Sequence, residues 1–357
     1  MNVSILGDGL TSLTLAMMLV NQGIKVDIFL GKKTKRYNKI QTLGISKTNI
    51  EFFNKNISNI NKFLWGIDNI EIYSENLKNE KILNFENKGS NLFYIVRNHN
   101  LYQHLFLNLK KNKLIKFKKK IECSNLLKSN YNLIFNCDYF NSISKKFFYR
   151  KISKNYKSFA HITTFTHKRI SNNNIASQIF TKNGPLAFLP ISSTETSVVY
   201  SAKGKKDLNL KNCINKYNMK YQNLKLNEIN CFELKSSNLR SYYYKNIIAF
   251  GDLLHRLHPL AGQGFNMTLR DIKELQKLIE FKKKHGLELD NSICMDFEKN
   301  TKNRNFLFSS GIDFIYEFFN LENKFKDNNL SKFVKFLGRS KTTNKFFTKL
   351  ADNGIII

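Results

Sequence analysis

The segment Gly251-Asp252-Leu253-Leu254-His255-Arg256-Leu257-His258-Pro259-Leu260-Ala261-Gly262-Gln263-Gly264-Phe265-Asn266 carries more structural information than any other in this chain. An apolar run, Ile247-Ile248-Ala249-Phe250, leads into it. A helical pattern follows, with Ile272, Leu275, Leu278 and Ile279 on one face. A strand ending in Gly-Asp, then a loop bearing Pro and two glycines, then a helix is an arrangement that turns backbone N–H groups toward an anion.

A second turn of the same kind opens the chain. Asn2–Leu6 reads as a short buried strand, Gly7-Asp8-Gly9-Leu10-Thr11-Ser12 as a tight turn, Leu13–Asn21 as a helix ending at Gly23, and Ile24–Leu30 as the next strand. This is the β-turn-α-β unit of a dinucleotide-binding fold. Gly7 permits the turn, Gly9 lets the backbone approach a pyrophosphate, and Ser12 stands where a third glycine allows close helix packing. The fold usually ends its second strand on an acid that holds a ribose hydroxyl. Here that position is Leu30, and Asp27 alternates to the opposite face, so either another group takes the ribose or adenosine binding is weakened.

The chain has 357 residues, enough for one large or two intimate domains. Its 58 Lys+Arg against 27 Asp+Glu give a net charge of +31. That charge suits an anionic partner, a membrane surface above all, or simple compositional drift toward Lys, Asn, Ile and Phe with only 3 Pro. Nothing beyond charge speaks for specific nucleic-acid binding, because no recognition module is visible. Cys123, Cys137, Cys213, Cys231 and Cys294 are widely separated and read as reduced core thiols of a cytosolic protein with no metal site. The sequence holds no membrane-spanning apolar run, and its first residues read as a folded strand and not as a targeting segment.

The long motif resembles the second flavin-binding motif, G-D-x-x-H-x-x-x-P-x-x-G-Q-G-x-N, of single-component FAD-dependent aromatic hydroxylases. The branch it resembles is that of the ubiquinone-biosynthesis hydroxylases. Gln41–Ser46, Phe93–Asn98 with Leu101 and Leu105, Leu133–Ser142 and Gly184–Pro190 are similar to that branch's other motifs, as are Phe297–Arg304 and Gly311–Phe319 in the tail. Tyr139 departs from the glycine of the middle motif, A-D-G-x-x-S, which in the family touches flavin and nicotinamide.

The resemblance implies an α/β fold: a Rossmann-like FAD domain (1–65, 96–150 and 240–285), an inserted antiparallel substrate sheet (66–95 and 151–239), and a helical tail (286–357). In that tail Phe314, Ile315, Phe318 and Phe319 form an apolar stripe, read as core packing in preference to a membrane face. It implies FAD held by Gly7, Asp8, Gly9, Leu10, Thr11, Ser12, Asn98, Asp138, Gly251, Asp252, Pro259, Ala261, Gly262, Gln263, Gly264, Phe265 and Asn266. Asp252 would bind the ribityl chain, and N–H groups around Gly262–Gly264, before a helix from Asn266, would stabilise the reduced ring.

Pro259 would line the oxygen side. His258 is the candidate acid–base group, and His255 reads as a structural hydrogen-bond partner. The implied reaction is hydroxylation of a polyprenylated phenol by molecular oxygen through a flavin hydroperoxide. NADH, NADPH or a protein electron donor would act as reductant.

Such a substrate resides in the bilayer. A cytoplasmic protein peripheral to the inner face of the membrane is therefore expected, with membership of a ubiquinone-biosynthesis complex open. The alternative is a non-catalytic flavin-fold scaffold or lipid-binding subunit, which Leu30 and Tyr139 keep in play.

Overall fold

Val3, Ile5 and Leu6 are shielded from water because their strand, Asn2–Leu6, lies inside a six-stranded sheet. The sheet runs Tyr243–Tyr244, Ile247–Ala249, Leu133–Asn136, Asn2–Leu6, Lys25–Phe29, Ile115–Lys118. All neighbours in it are parallel except the edge hairpin Tyr243–Tyr244. Parallel strands covered on both faces need near-continuous apolar runs, which Ile247-Ile248-Ala249 and Leu133-Ile134-Phe135 supply. In this computed structural model the described residues are 2–31, 39–86, 89–119, 122–204, 206–259, 262–325 and 328–338.

The second layer is a nine-stranded sheet whose longest strand, Lys151–Thr166, pairs antiparallel with Glu195–Lys203 on one side and Asn230–Leu239 on the other. Its far edge is built from Asn69–Ser74, which joins Ile175–Thr181 in parallel, and Glu80–Glu86. Gly184 belongs here: at φ +131° its missing Cβ leaves room for the Ser201 carbonyl, which a side chain would meet at 2.0 Å.

A third, three-stranded sheet joins the two layers. Thr42–Ser46 and Trp65–Ile67 both pair with Phe93–Arg97. The expected domain bounds at 65/66 and 95/96 therefore cut through one hydrogen-bonded unit. Composition could not reveal this, since each strand is short and lies far from its partners in sequence.

The tail forms two described helices, Ser292–Phe325 and Asn329–Gly338. Its apolar stripe divides. Phe319 is buried and stacks on Phe180 of the large sheet at 3.5 Å between ring centroids, whereas Phe314 stays 68% exposed and Ile315 is also exposed. The core reading thus holds for Phe319 and fails for Phe314. Asn76 and Ser331 both donate to the buried Glu322 carboxylate, which ties the start of the second helix to the first. Among the described residues no helix is long and apolar enough to cross a membrane.

Phe319→Ala should cost about 3 kcal/mol in urea unfolding by emptying an aromatic stack. Phe314→Ala should change stability by less than about 0.5 kcal/mol.

Candidate active site

Two helices begin with bare N-termini at this site. Leu10–Asn21 starts after Gly9, with no side-chain cap and no acidic residue in its first turn. Gln263–Lys284 starts after Gly262, which is in the left-handed region at φ +64°, again without cap or acid. The structure moves this start three residues earlier than the sequence suggested, because Gly262 itself takes the N-cap position. Uncapped first-turn N–H groups and the helix dipole favour an anion at each place.

Close packing brings the motifs together. Gly251 has φ +62°, and a Cβ there would lie 2.7 Å from Thr11 Cγ2. Gly7, at φ +97°, sits against Asp138, whose Cβ would be 3.3 Å from a side chain at position 7. The glycine turn, the middle motif and the Gly-Asp motif therefore converge at the ends of the parallel strands. Asp252 is exposed beside them. Ser12 is fully buried, as a small residue beneath the helix must be, and Leu10 joins the core.

The far end of the long loop is tied to the three-stranded sheet. Asn266 Nδ2 donates to the Gly44 carbonyl at 2.8 Å, and its Oδ1 accepts from Ser46 N and Asn49 Nδ2, both at 2.9 Å. The Asn266 amide is thus engaged by protein on both side-chain atoms and positions the loop. Gln263 accepts from Arg270 at 3.0 Å and Phe265 packs in the core, so both also act from behind. Gly264 faces open space, with nothing within 4 Å of a Cβ built on it. Pro259 is half-buried at the edge of the described segment. Ala261 lies outside the described residues.

The sequence reading missed a short strand inside the loop. His255–Arg256 pairs with Ser237–Asn238 of the large sheet. His255 is a structural partner, as expected: its Nε2 lies 2.5 Å from Asp271 Oδ2, both side chains are fully buried, and Asn305 donates to the other carboxylate oxygen at 2.9 Å.

His258 is corrected as an acid–base group. Its ring is enclosed by Tyr156 and Tyr316, with centroids at 4.7 and 4.5 Å, and it is 1% exposed. Burial, helped by the Lys154 charge, pushes its pKa down to about 3, so the ring stays neutral at pH 7 and does not serve as an imidazolium acid.

The residues fit a flavin dinucleotide. Besides the two open helix N-termini, Asn98 keeps a buried Oδ1 without a hydrogen-bond partner, while its Nδ2 donates to Gln41 at 3.3 Å. An unused buried acceptor is costly unless a ligand donor meets it. The Cys137 thiol, in the middle motif, is pushed up to about 12 by burial and stays protonated. Between this site and the large sheet run an Arg97–Glu195 ion pair and a Thr42–Ser197 hydrogen bond at 2.9 Å.

This fold is that of FAD-dependent monooxygenases. The chain superposes over 99% of its length on 98% of p-nitrophenol 4-monooxygenase from Pseudomonas putida DLL-E4, with a TM-score of 0.79 at 11% identity. Klebsiella pneumoniae HpxO, solved with FAD and uric acid, gives a TM-score of 0.75 at 12% identity, covering 98% of this chain and 97% of that one. No protein-family model matches the chain.

Within that class, the chain is similar to ubiquinone-biosynthesis hydroxylases. It is 25% identical to the monooxygenase COQ6 of Schizosaccharomyces pombe over 35% of this chain and 26% of that one. Against human COQ6 it is 26% identical over 35% and 36%, and against the Escherichia coli 3-demethoxyubiquinol 3-hydroxylase 27% identical over 39% and 38%. These alignments thus span between about a quarter and two-fifths of the curated relatives' lengths.

Two outcomes follow. Gly251→Ala should lose more than about 1 kcal/mol of stability, from the left-handed backbone and the clash with Thr11, and adding Thr11→Ser should restore part of it. For His258, the folded pKa lies below the unfolded value of about 6.5. Its contribution is therefore complete above pH 6.5 and is lost as pH falls toward 3. His258→Phe should flatten the decline of the urea midpoint across that window.

Proposed function

We propose that this chain is an FAD-dependent monooxygenase that hydroxylates a phenolic ring, with a polyprenylated ubiquinone precursor as the substrate class. The observation that carries the reading is the pair of uncapped helix N-termini, one following the parallel strand Asn2–Leu6 and the other set against Gly44 of the three-stranded sheet. FAD, when bound and reduced, supplies the activated oxygen.

The chain's own residues do the rest. N–H groups after Gly9 hold the pyrophosphate, those after Gly262 oppose negative charge on the ring, and Asp252 takes ribityl hydroxyls. Asn98 offers its unpaired oxygen to a ligand donor. With His258 neutral and enclosed, no histidine is assigned as base, and the phenol's own ionisation serves. The reductant is NADH, NADPH or a protein donor. Tyr139, at the middle-motif position that the resemblance links to nicotinamide, has its ring and hydroxyl engaged by Lys151.

Membrane contact, on the inner face and with a cytoplasmic body, is part of this proposal. What supports it is a surface around the short helix Ser142–Phe147. Phe140 is 80% exposed, and Tyr149, Ile152 and Tyr244 are exposed near it. Lys146, Arg150, Lys151 and Lys245 lie over the rings of Phe147, Tyr149, Tyr139 and Tyr244. From Tyr139 to Thr194 the chain has nine Lys and Arg and no Asp or Glu. Aromatic rings interleaved with cations suit the headgroup layer of an anionic bilayer.

The cofactor claim is tested by the visible spectrum of the protein titrated with FAD. Perturbed flavin bands are expected, and no binding at high FAD would leave the scaffold reading. For the membrane, tryptophan emission of Phe140→Trp should shift blue on phosphatidylcholine vesicles containing phosphatidylglycerol but not on phosphatidylcholine alone. Replacing Lys145, Lys146 and Lys151 by Gln should weaken that binding about a hundredfold, at about 1 kcal/mol each.

A further inference from the structure

In the large sheet, Ile72, Gln178, Ala187, Val199 and Ile162 stand opposite one another on five neighbouring strands. Partners in register share a face, so these side chains form one row across the sheet. The rows on either side are covered. Phe180 belongs to an apolar cluster with Ile72, with the tail's Phe319 and with Met267, near the start of the helix Gln263–Lys284. Ala176 and Leu189 pack with Trp65 and Phe93 of the three-stranded sheet. Between these clusters Gln178, Ala187 and Val199 remain partly exposed, so the row is the floor of a slot.

Both walls of the slot run to the glycine-bearing loop. Met267 joins one wall to the helix that follows Gly262. At the other, Ser197, two residues before Val199, bonds Thr42 at 2.9 Å, and Gly44 of the same strand has its N 3.5 Å from where a Cβ on Gly262 would be. The central floor is apolar except for Gln178, a half-buried amide with no hydrogen-bond partner among the described residues. Set among Ile72, Phe180 and Ala187, that amide is left to water unless a ligand takes it.

We infer that Gln178 recognises the ring hydroxyl of the substrate, with the ring lying over Ala187 and Val199, an assignment that rests on the flavin reading above and adds to it a specificity-determining side chain. Neighbouring strands are about 4.8 Å apart, so Ala187 lies where a ring bonded to Gln178 would rest, and its small side chain leaves room. The amide oxygen accepts the phenol's hydrogen bond without removing the proton, so it orients the ring and leaves ionisation to the phenol. Asn230 stands at the far end of the same row with its Nδ2 buried and unpaired. It is four strands away, about 19 Å, and its neighbour Ile162 is buried, so it has no open floor beside it.

Calorimetric titration of the FAD-loaded protein with 4-propylphenol and with propylbenzene, which differ only in the hydroxyl, tests the assignment. The wild type should bind the phenol about three- to tenfold more tightly, the worth of one hydrogen bond. Gln178→Met should erase that ratio by weakening the phenol alone, whereas Gln178→Glu, which keeps an acceptor, should preserve it. Ala187→Phe should weaken both ligands by filling the floor. Unfolding temperatures report whether each variant folds. Gln178→Leu replaces a Gln178→Met protein that does not, and the wild-type ratio is a test by itself.

A wild type without the preference, a Gln178→Met protein that keeps it, or a ratio lost in Asn230→Leu instead would overturn the assignment. Calorimetry needs no flavin, and cofactor binding is followed separately in the visible spectrum. A protein that shows the ratio but binds no FAD would therefore refute the flavin reading, and one that binds FAD without the ratio would refute the role of Gln178 alone.

Discussion

One buried hydrogen bond, between His255 and Asp271, holds the long glycine-bearing loop against the rest of the molecule. Neither side chain touches water, so each would carry a desolvation penalty of several kcal/mol if the other were removed. The pair ties the short strand His255–Arg256 to the helix Gln263–Lys284, and Asn305 extends it to the long tail helix. With Gly251 pressed onto Thr11 before it and Asn266 clamped to Gly44 and Ser46 after it, the loop is fixed at three points. Such fixing is what preorganised N–H groups require, since donors that must reorganise lose much of their electrostatic value.

Much of this was legible in the sequence, for identifiable reasons. The strand Asn2–Leu6 has the bounds its pattern suggested, because Val3, Ile5 and Leu6 are interrupted only by the small Ser4 and Gly7 ends the run. The glycines at 7, 251 and 262 were legible as turns, and all three have positive φ. His255 read correctly as a structural partner, since a histidine behind Gly-Asp faces inward.

What was not legible depends on contacts between distant segments. The two-residue strand His255–Arg256 has no periodicity to detect and exists because Ser237–Asn238 lies beside it. Asn266 looked like a ligand contact, but its partners Gly44, Ser46 and Asn49 are more than 200 positions away. His258 looked poised for proton transfer next to Pro259. Only the approach of Tyr156 and Tyr316, from the large sheet and the tail, shows that it is sealed and neutral. The tail stripe failed in the same way: period alone places Phe314 and Phe319 together, and only the large sheet's Phe180 separates them.

The parallel pairing of Asn69–Ser74 with Ile175–Thr181 has a consequence for how the molecule is made. Between those strands lie Leu133–Asn136 of the six-stranded sheet and Phe93–Arg97 of the bridging sheet. Pairing at the large sheet's far side therefore closes a long loop that contains strands of both other sheets. Closing so long a loop defers its enthalpic return, which makes for slow, late assembly. Neither half of the chain, synthesised alone, would contain both partners of that edge. A truncated product would leave Asn69–Ser74 paired only with Glu80–Glu86 and its other edge open, the kind of edge that recruits other chains.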